Sequence, residues 1–226
     1  MTHHDSLVAR IKAYHLPGGE DLGRGVRGIR ATQRGEIRSR PYARWNPFTA
    51  EEFVDATKAG FCWEARMGTG LTSILVTDAY EDGRGRLTVS KGPIRLKKLD
   101  GPDVDKGELQ RYLAYLCYCP AMLVNNPSLA LTPIGPLTLR VTDTEDQTGA
   151  SVEIDFAEDG QTLVSRAVRP MTVGKRIIPT PWSASGSHPR VWDGLCATSR
   201  LEASWHPPEG AFVYIRMEIT SFTVLR

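Results

Sequence analysis

Six ionisable side chains are the strongest candidates for chemistry, because they fall in or beside apolar and aromatic segments of the chain. Arg66 and Arg169 lie in strand-like segments, so either guanidinium could bind a carboxylate, an enolate or a tetronate-like oxyanion. The alternative is structural, with each arginine in a partly buried salt bridge to Asp78 or Glu202. The candidate catalytic residues are Arg66, Asp78, Glu108, Arg169, Glu202 and His206.

A second candidate feature is an aromatic face on a helix that we predict from Asp105, as N-cap, to the stop at Pro120. One stripe of this helix, at i, i+3, i+4 and i+7, predicts core packing and comprises Leu109, Tyr112, Leu113 and Leu116. A second face carries Arg111, Tyr115 and Tyr118. Tyrosine suits a cavity wall, since it offers an apolar ring and a hydroxyl. The alternative is that these tyrosines close a dry core.

Other aromatic residues extend this possible wall along the predicted strands. An apolar substrate held among them would be shielded from water, which favours reactions that need shape and one or two polar groups rather than a cofactor. The candidate substrate-binding residues are Trp63, Tyr80, Arg111, Tyr112, Tyr115, Tyr118, Trp182, Trp205 and Tyr214.

Known cofactor and metal signatures do not account for these residues. The chain has no P-loop, no H-E-x-x-H, no G-x-S-x-G and no paired C-x-x-C. The segment 23–28, "GRGVRG", matches G-x-G-x-x-G but lacks the strand before it and the helix after it that a dinucleotide site needs. Five scattered histidines do not form a metal set, and the four cysteines are best explained as small apolar fillers. We therefore expect no cofactor and no metal.

Composition and charge indicate an ordinary soluble globular protein. The 226 residues are 41% hydrophobic and 24% charged, with a net charge of +2. Seven arginines lie between Arg24 and Arg44, but we expect them to point outward along exposed strands, and the near-neutral chain argues against nucleic-acid binding. The N-terminus lacks the apolar region of a signal peptide, and no segment is long enough to span a membrane. We expect cytoplasmic residence and no stable membrane insertion; the oligomeric state stays open.

The candidate residues must be positioned by strands, which dominate the sequence. About nine short, β-branched or aromatic segments separated by turns predict a large antiparallel sheet. A sheet that wide must curl, as a half-barrel or barrel. The predicted class is α+β, with two or three helices, one of them covering the concave face. We expect an N-terminal helix and a Gly/Arg-rich extended segment over residues 1–32, and a single curved-sheet domain over 33–226.

Two further segments carry local predictions. Thr49 and Glu52 form a capping-box spacing that predicts a helix ending near Gly60. The proline-rich segment 124–137, "VNNPSLALTPIGPL", predicts a loop that crosses between the halves of the sheet.

A set of motifs resembles a bacterial family known only as a domain of unknown function. The motifs are W-x-PFTAEE (45–52), GP-x4-GEL-x-RYLA (101–114) and WHPPEGAFVY (205–214). The resemblance implies a curved antiparallel sheet similar to lipoprotein-carrier half-barrels, and it implies no activity. Members usually have an acid after RYLA and a Trp before the proline. Here Tyr115 and the segment 117–120, "CYCP", replace them, on the helix face described above.

Three hypotheses for function follow. The first is a cofactor-independent cyclase or isomerase of natural-product biosynthesis, acting on an apolar small molecule in the cavity of the sheet. The second is a non-catalytic carrier or sensor of a hydrophobic small molecule or lipid. The third is a scaffold with a solid core, which a cavity below about 300 Å³ would favour.

Overall fold

The protein is built on one antiparallel sheet, seen in a computed structural model that describes residues 3–174 and 176–226. The strands before the central helix are β1 Gly28–Ile37, β2 Asn46–Asp55, β3 Phe61–Met67, β4 Ile74–Glu81, β5 Arg84–Lys91 and β6 Ile94–Leu99. Those after it are β7 Leu129–Gly135, β8 Thr138–Asp143, β9 Val152–Phe156, β10 Thr162–Val173, β11 Arg176–Trp192, β12 Leu195–Trp205 and β13 Phe212–Leu225. The α-helices are α1 His3–His15, α2 Glu20–Gly23, α3 Pro102–Leu113 and α4 Met122–Asn125.

The strand order shows two meanders joined in the middle of the sheet. It runs β6-β5-β4-β3-β2-β1-β13-β12-β11-β10-β9-β8-β7, and every neighbouring pair is antiparallel. The chain therefore runs from β1 in the middle of the sheet to β6 at one edge. It crosses to the opposite edge through α3 and α4, and it returns from β7 to β13 in the middle. The two edge strands, β6 and β7, do not pair, so the sheet stays unclosed.

Contacts of α3 show how strongly the sheet is curved. The helix packs on β5 and on β10, which lie eight places apart in the strand order. In a flat sheet those strands would be about 38 Å apart at about 4.8 Å per strand, whereas a helix is only about 10–12 Å wide. The sheet must bend round α3, as predicted for a half-barrel with a helix on its concave face. This confirms the predicted fold class, with four α-helices among the described residues instead of two or three.

Hydrogen bonds fix α3 to both walls. On one side the Gly85 amide donates to Asp105 Oδ1 at 2.7 Å, and Arg84 forms an ion pair with the same carboxylate at 3.2 Å. On the other side Arg169 donates to the Gly107 carbonyl at 2.6 Å. Asp105 is thus not the N-cap that the sequence predicted; Gly101 holds that position, and Asp105 ties the helix to the β4–β5 hairpin.

The predicted core stripe of α3 is confirmed, and it joins one large cluster under the sheet. Leu109, Tyr112, Leu113 and Leu116 are fully buried. The regular helix ends at Leu113 and continues as a 3₁₀ turn, Ala114–Cys117, before Pro120. The predicted N-terminal helix is also present as α1. It buries Leu7 and Ile11, and His15 at its end bonds to the Cys196 carbonyl.

The capping-box prediction near Thr49 is wrong. Residues 46–55 form β2, which pairs with β1 along its whole length and with β3 from Thr49 to Val54. Phe48, Ala50, Glu52 and Val54 alternate inward, a period-2 pattern that outweighs the local helix signal.

Three further features of the sheet differ from the simple expectation or extend it. The described residues form thirteen strands instead of about nine, and the additional strands include β2, which was predicted as a helix, and β7, which was predicted as part of a loop. The proline-rich segment includes a strand, β7, which forms the sheet edge where prolines are tolerated. Strand β1 spans residue 32, where the sequence division into two segments was placed, and its pairing with β13 shifts register between Thr32 and Gln33.

Candidate functional site

A cavity of about 280 Å³ lies between α3 and the concave face of the sheet. Most of its lining is apolar or aromatic, including Val76, Leu87, Trp182, Leu201, Ile215 and Met217. Strands from both meanders and the helix contribute, so the cavity exists only because the sheet curls back on α3. An apolar wall with few polar groups is the usual character of a ligand site.

The polar part of the cavity consists of Asp78 on β4, Glu108 on α3 and Arg169 on β10, all of them buried. Within the described part of the chain, Asp78 Oδ1, Glu108 Oε2 and Arg169 Nε have no hydrogen-bond partner. Arg169 Nη2 and Glu108 Oε2 are 3.8 Å apart, an ionic contact that is too long for a hydrogen bond. Buried polar atoms are rarely left unpaired, so these three atoms are available to an incoming group.

The surroundings of Glu108 favour the protonated form of its carboxyl group. Burial raises the pKa of Glu108 to about 8, and the negative charge of Asp78 adds to the rise, while Arg169 and Arg111 oppose it. Near pH 7 the side chain is therefore mainly the neutral acid, able to donate one hydrogen bond, either to the neighbouring Asp78 carboxylate or to a ligand.

Arg111 holds the other ion pairs of the site. It bonds to Asp78 through one nitrogen and to Glu52 Oε1, at 3.1 Å, through another. Its Nε donates to the Tyr115 hydroxyl, which in turn donates to Glu52 at 2.6 Å. The nearby carboxylates and the Tyr115 hydroxyl hold the pKa of Arg111 above its usual value, although burial alone would lower it. Arg111 is thus a saturated structural cation, unlike Arg169.

A second polar chain extends this network beneath the helix. Gln33 on β1 donates to Glu52 at 2.6 Å and to the Tyr118 hydroxyl at 2.9 Å, and it accepts from Trp63 Nε1 at 2.8 Å. The face of Arg111, Tyr115 and Tyr118 therefore faces a buried hydrogen-bonded cluster on β1 to β4. Sequence analysis missed Gln33 and Glu52. The inward alternation of β2 was the available signal for Glu52.

The sequence-predicted residues divide into two groups. Those that line the cavity are Asp78, Glu108, Arg169, Glu202, Trp63, Arg111, Tyr115, Trp182, Trp205 and Tyr214. Those that the structure places elsewhere are Arg66, His206, Tyr80, Tyr112 and Tyr118.

The residues outside the cavity have other partners. Arg66 is exposed and donates to Ser73 Oγ at 3.1 Å, and exposed His206 bonds Ser183 Oγ at 2.8 Å. Tyr112 is a buried core residue, as its place in the core stripe predicted. Tyr118 is also buried in the core, which was the alternative interpretation of the tyrosines on the second face of the helix. In the described part of the chain neither Arg66 nor Arg169 forms an ion pair with Asp78 or Glu202, and Asp78 pairs with Arg111 instead.

Arg169 also packs against an aromatic wall. Its guanidinium carbon lies 4.7 Å from the centre of the Trp182 ring, and Trp182 Nε1 donates to the Tyr214 hydroxyl at 3.2 Å. Trp205 packs beside Tyr214, with ring centres 5.7 Å apart. These contacts fix the orientation of Arg169 at the polar part of the cavity.

A larger cleft of about 650 Å³ borders the cavity at Glu202, but it is more open to solvent and highly charged. Most of its charged side chains are paired within the cleft, with Arg34 to Glu218 at 2.8 Å and Arg216 to Glu36. Although this cleft is larger than the cavity, it is exposed to solvent and its paired charges have little need of a ligand. The smaller enclosed cavity is the better candidate site.

Metal and thiol chemistry find no support in the described residues. No group of three or more His, Cys, Asp or Glu side chains there is arranged to hold a metal ion. All four cysteines are free, and burial raises the pKa of Cys117 to about 12, which disfavours the reactive thiolate. Across residues 3–174 and 176–226, the helices are also too short or too polar to cross a bilayer.

Comparison with solved structures identifies relatives of the fold. The crystal structure of the LolA superfamily protein NE2245 from Nitrosomonas europaea matches with a TM-score of 0.51 at 9% identity, over 98% of this chain and 93% of that one. A DUF1329 family protein from Desulfovibrio piger matches with a TM-score of 0.48 at 9% identity, over 92% of each chain. At such low identity the first likeness shows the fold alone, and it agrees with the half-barrel predicted from sequence.

Sequence comparison gives the family. No curated protein matches the chain. A family model described as a family of unknown function, DUF6544, matches residues 11–217, which include both walls of the cavity and the whole of α3. The match also confirms the resemblance seen in the motifs. The chain is therefore a member of the DUF6544 family.

Proposed function

We propose that the protein binds an apolar small molecule carrying one polar group, in the cavity between α3 and the sheet. The observation that carries the proposal is the set of three buried, unpartnered polar atoms on Asp78, Glu108 and Arg169 in an otherwise apolar cavity. A solid core would leave such atoms desolvated without compensation, at about 1–3 kcal/mol each. A ligand whose polar group meets them offsets that loss.

The size of the cavity, taken alone, favours the scaffold hypothesis over ligand binding. At about 280 Å³ the cavity lies just below the 300 Å³ under which a solid-core scaffold was expected. The chemistry of the lining is the stronger criterion, because a scaffold has no use for a buried guanidinium nitrogen and buried carboxyl oxygens without partners beside apolar walls. The size restricts the ligand to a small one.

Ligand binding is tested first by native mass spectrometry of the protein purified from its own host. We expect a bound small molecule of defined mass that organic solvent releases. A second test uses an apolar dye whose fluorescence rises on binding. Trp182→Ala should weaken dye binding several-fold, whereas the control Trp45→Ala, outside the cavity lining, should leave it unchanged. Equal dye binding by both variants, together with no co-purified molecule, would refute the proposal.

Catalysis is a second candidate function, favoured by one observation. Glu108 is a buried acid with its pKa raised to about 8, next to the carboxylate of Asp78, which is the usual setting of a general acid near neutral pH. A cofactor-independent cyclase or isomerase could use Glu108 to protonate a substrate whose oxyanion Arg169 binds. Residence in the cytoplasm belongs to this candidate, as the place where a biosynthetic enzyme would meet its substrate, and stays a prediction.

Carrier and enzyme are separated by the fate of the bound molecule. The co-purified compound is incubated with fresh protein and with Glu108→Gln, and both mixtures are analysed by chromatography and mass spectrometry. Conversion by the wild type but not by the variant would support catalysis. Recovery of unchanged compound from both would leave a carrier or sensor.

A further inference from the structure

We infer that the polar group of the ligand is a carboxylate, which Arg169 binds only while Glu108 is protonated. This inference rests on the proposed binding function and narrows it to a medium-chain organic acid. It also makes binding depend on pH in a direction that the structure fixes.

The first step is the charge state of Arg169. Its side chain is 8% exposed, its Nη2 donates to a neutral carbonyl at Gly107, and its Nε has no partner among the described residues. Among the described residues its one ionic contact is with Glu108, at 3.8 Å. A buried cation without an ionised, hydrogen-bonded partner is costly, so this guanidinium selects an anion. A planar carboxylate is the geometric match to a guanidinium.

The second step is the balance of charge around Glu108. Asp78 faces it from β4, Arg169 faces it from β10, and Arg111 lies on its own helix. Arg111 is already bonded to the carboxylates of Asp78 and Glu52, which offset its positive charge. If Glu108 ionises, it neutralises Arg169 and repels a second carboxylate. If it is protonated, Arg169 keeps its charge for the ligand, and the acid can donate a hydrogen bond.

The third step is size. A cavity of about 280 Å³ holds roughly nine water-sized groups, at about 30 Å³ each. An eight-carbon acid has ten heavy atoms and suits this space if its carboxylate lies at Arg169. Octanoate is therefore a suitable probe, and 1-octanol is its neutral match in chain length.

The inference is tested by isothermal titration of octanoate and 1-octanol into the full-length protein at pH 6.5 and pH 9.5. Octanoate stays ionised across this range, since carboxyl groups titrate near pH 4. With the Glu108 pKa at about 8, the protonated fraction falls from nearly all to about one thirtieth, so octanoate should bind roughly thirty-fold more weakly at pH 9.5. Octanol affinity should change little.

Three variants sharpen the test. Glu108→Gln should bind octanoate at both pH values with the affinity that the wild type shows at pH 6.5. Arg169→Met should bind octanoate at least ten-fold more weakly than the wild type does, with no change in its affinity for octanol. Arg166→Met, on the same strand but exposed and paired with Asp155, is the matched control and should behave as wild type. Thermal melting of each variant verifies folding.

Several outcomes would overturn the inference. Octanol binding as tightly as octanoate would show that the site does not select a carboxylate. Octanoate affinity that does not change with pH in the wild type would show that Glu108 does not control binding at Arg169. In both cases the apolar site itself would stand. Failure of both probes to bind, together with unchanged dye fluorescence, would refute the proposed function as well.

Discussion

The protonation of Glu108 makes a measurable prediction about stability, which we develop for Glu108→Gln. Burial and the charge of Asp78 raise the pKa of Glu108 from its ordinary value near 4.5 to about 8 in the folded protein. Between these two pH values the folded state holds a proton that the unfolded state has released. Stability in the wild type should therefore fall as pH rises through this window and level off above about pH 8.

The magnitude follows from the width of the window. Each pH unit inside it costs the folded state about 1.4 kcal/mol, which reaches about 5 kcal/mol when the window is complete. Glutamine has the shape of the neutral acid and does not titrate. Glu108→Gln should match the wild type near pH 5 and should become more stable than it by several kcal/mol at pH 8.5.

Urea unfolding at five pH values from 5 to 9, followed by far-ultraviolet circular dichroism, measures this difference directly. Most other titrating groups cancel in the comparison because only one side chain differs. If the difference in free energy of unfolding between Glu108→Gln and the wild type does not change with pH, the reasoning is refuted. A wild type that gains on the variant as pH rises would show that Glu108 is ionised and paired with Arg169.

Three further tests use substitutions in the framework around the cavity. Glu52→Gln should destabilise the protein by about 3 kcal/mol, seen as a lower midpoint in urea, because a buried partner of Arg111 is lost. Burial lowers the pKa of His15 in spite of its bond to a carbonyl, so the unfolded state takes up a proton first as pH falls below about 6.5. The melting temperature of the wild type should then approach that of His15→Gln between pH 7.5 and 5.5. Gly85→Ala should destabilise by about 1–3 kcal/mol, since its Cβ would lie 2.5 Å from a backbone oxygen of α3, whereas Gly107→Ala, with no neighbour nearer than 3.6 Å, should be neutral or stabilising.

Contradicting results for these three are equally specific. An unchanged urea midpoint for Glu52→Gln would mean that Arg111 does not need its second carboxylate. A constant gap in melting temperature would mean that His15 titrates normally in the folded state. Equal effects of the two alanine substitutions would mean that α3 does not press against the β4–β5 hairpin.

The parts of the fold that sequence predicted are those with strong local periodicity. The buried stripe of α3 could be identified because Leu109, Tyr112, Leu113 and Leu116 repeat at helical spacing, and many strands because their residues alternate. Such patterns reflect which side of an element faces the core, so they survive without knowledge of the neighbours.

Errors arose where tertiary pairing decided the structure. The segment around Thr49 has a good helix start, but β1 and β3 hold it in an extended ladder on both sides. Asp105 had the sequence of an N-cap, but it lies four residues after the actual N-cap, Gly101, and its carboxylate accepts a hydrogen bond from the Gly85 amide. Both contacts join segments distant along the chain, and a single sequence does not record them.

The candidate site was predicted in part for the same reason. A buried arginine in an apolar strand is unusual enough to be noticed, and Arg169 proved to line the cavity while Arg66, with a similar sequence context, points to solvent. Whether a side chain in a sheet is buried depends on which face of the sheet it lies on and on what packs against that face. The helix covers β10 at Arg169, and nothing in the local sequence distinguishes the two positions.

The central claim is that the space beneath α3 is an apolar binding site, and one crystallographic measurement tests it most directly. Crystals grown with 8-bromooctanoic acid, and separately with 8-bromo-1-octanol, are examined by anomalous diffraction at the bromine edge. We predict a bromine peak enclosed by the apolar lining of the cavity, with the acid oxygens next to Arg169. Absence of any peak there with either compound, in a cavity filled by ordered water or closed by repacked side chains, would contradict the account.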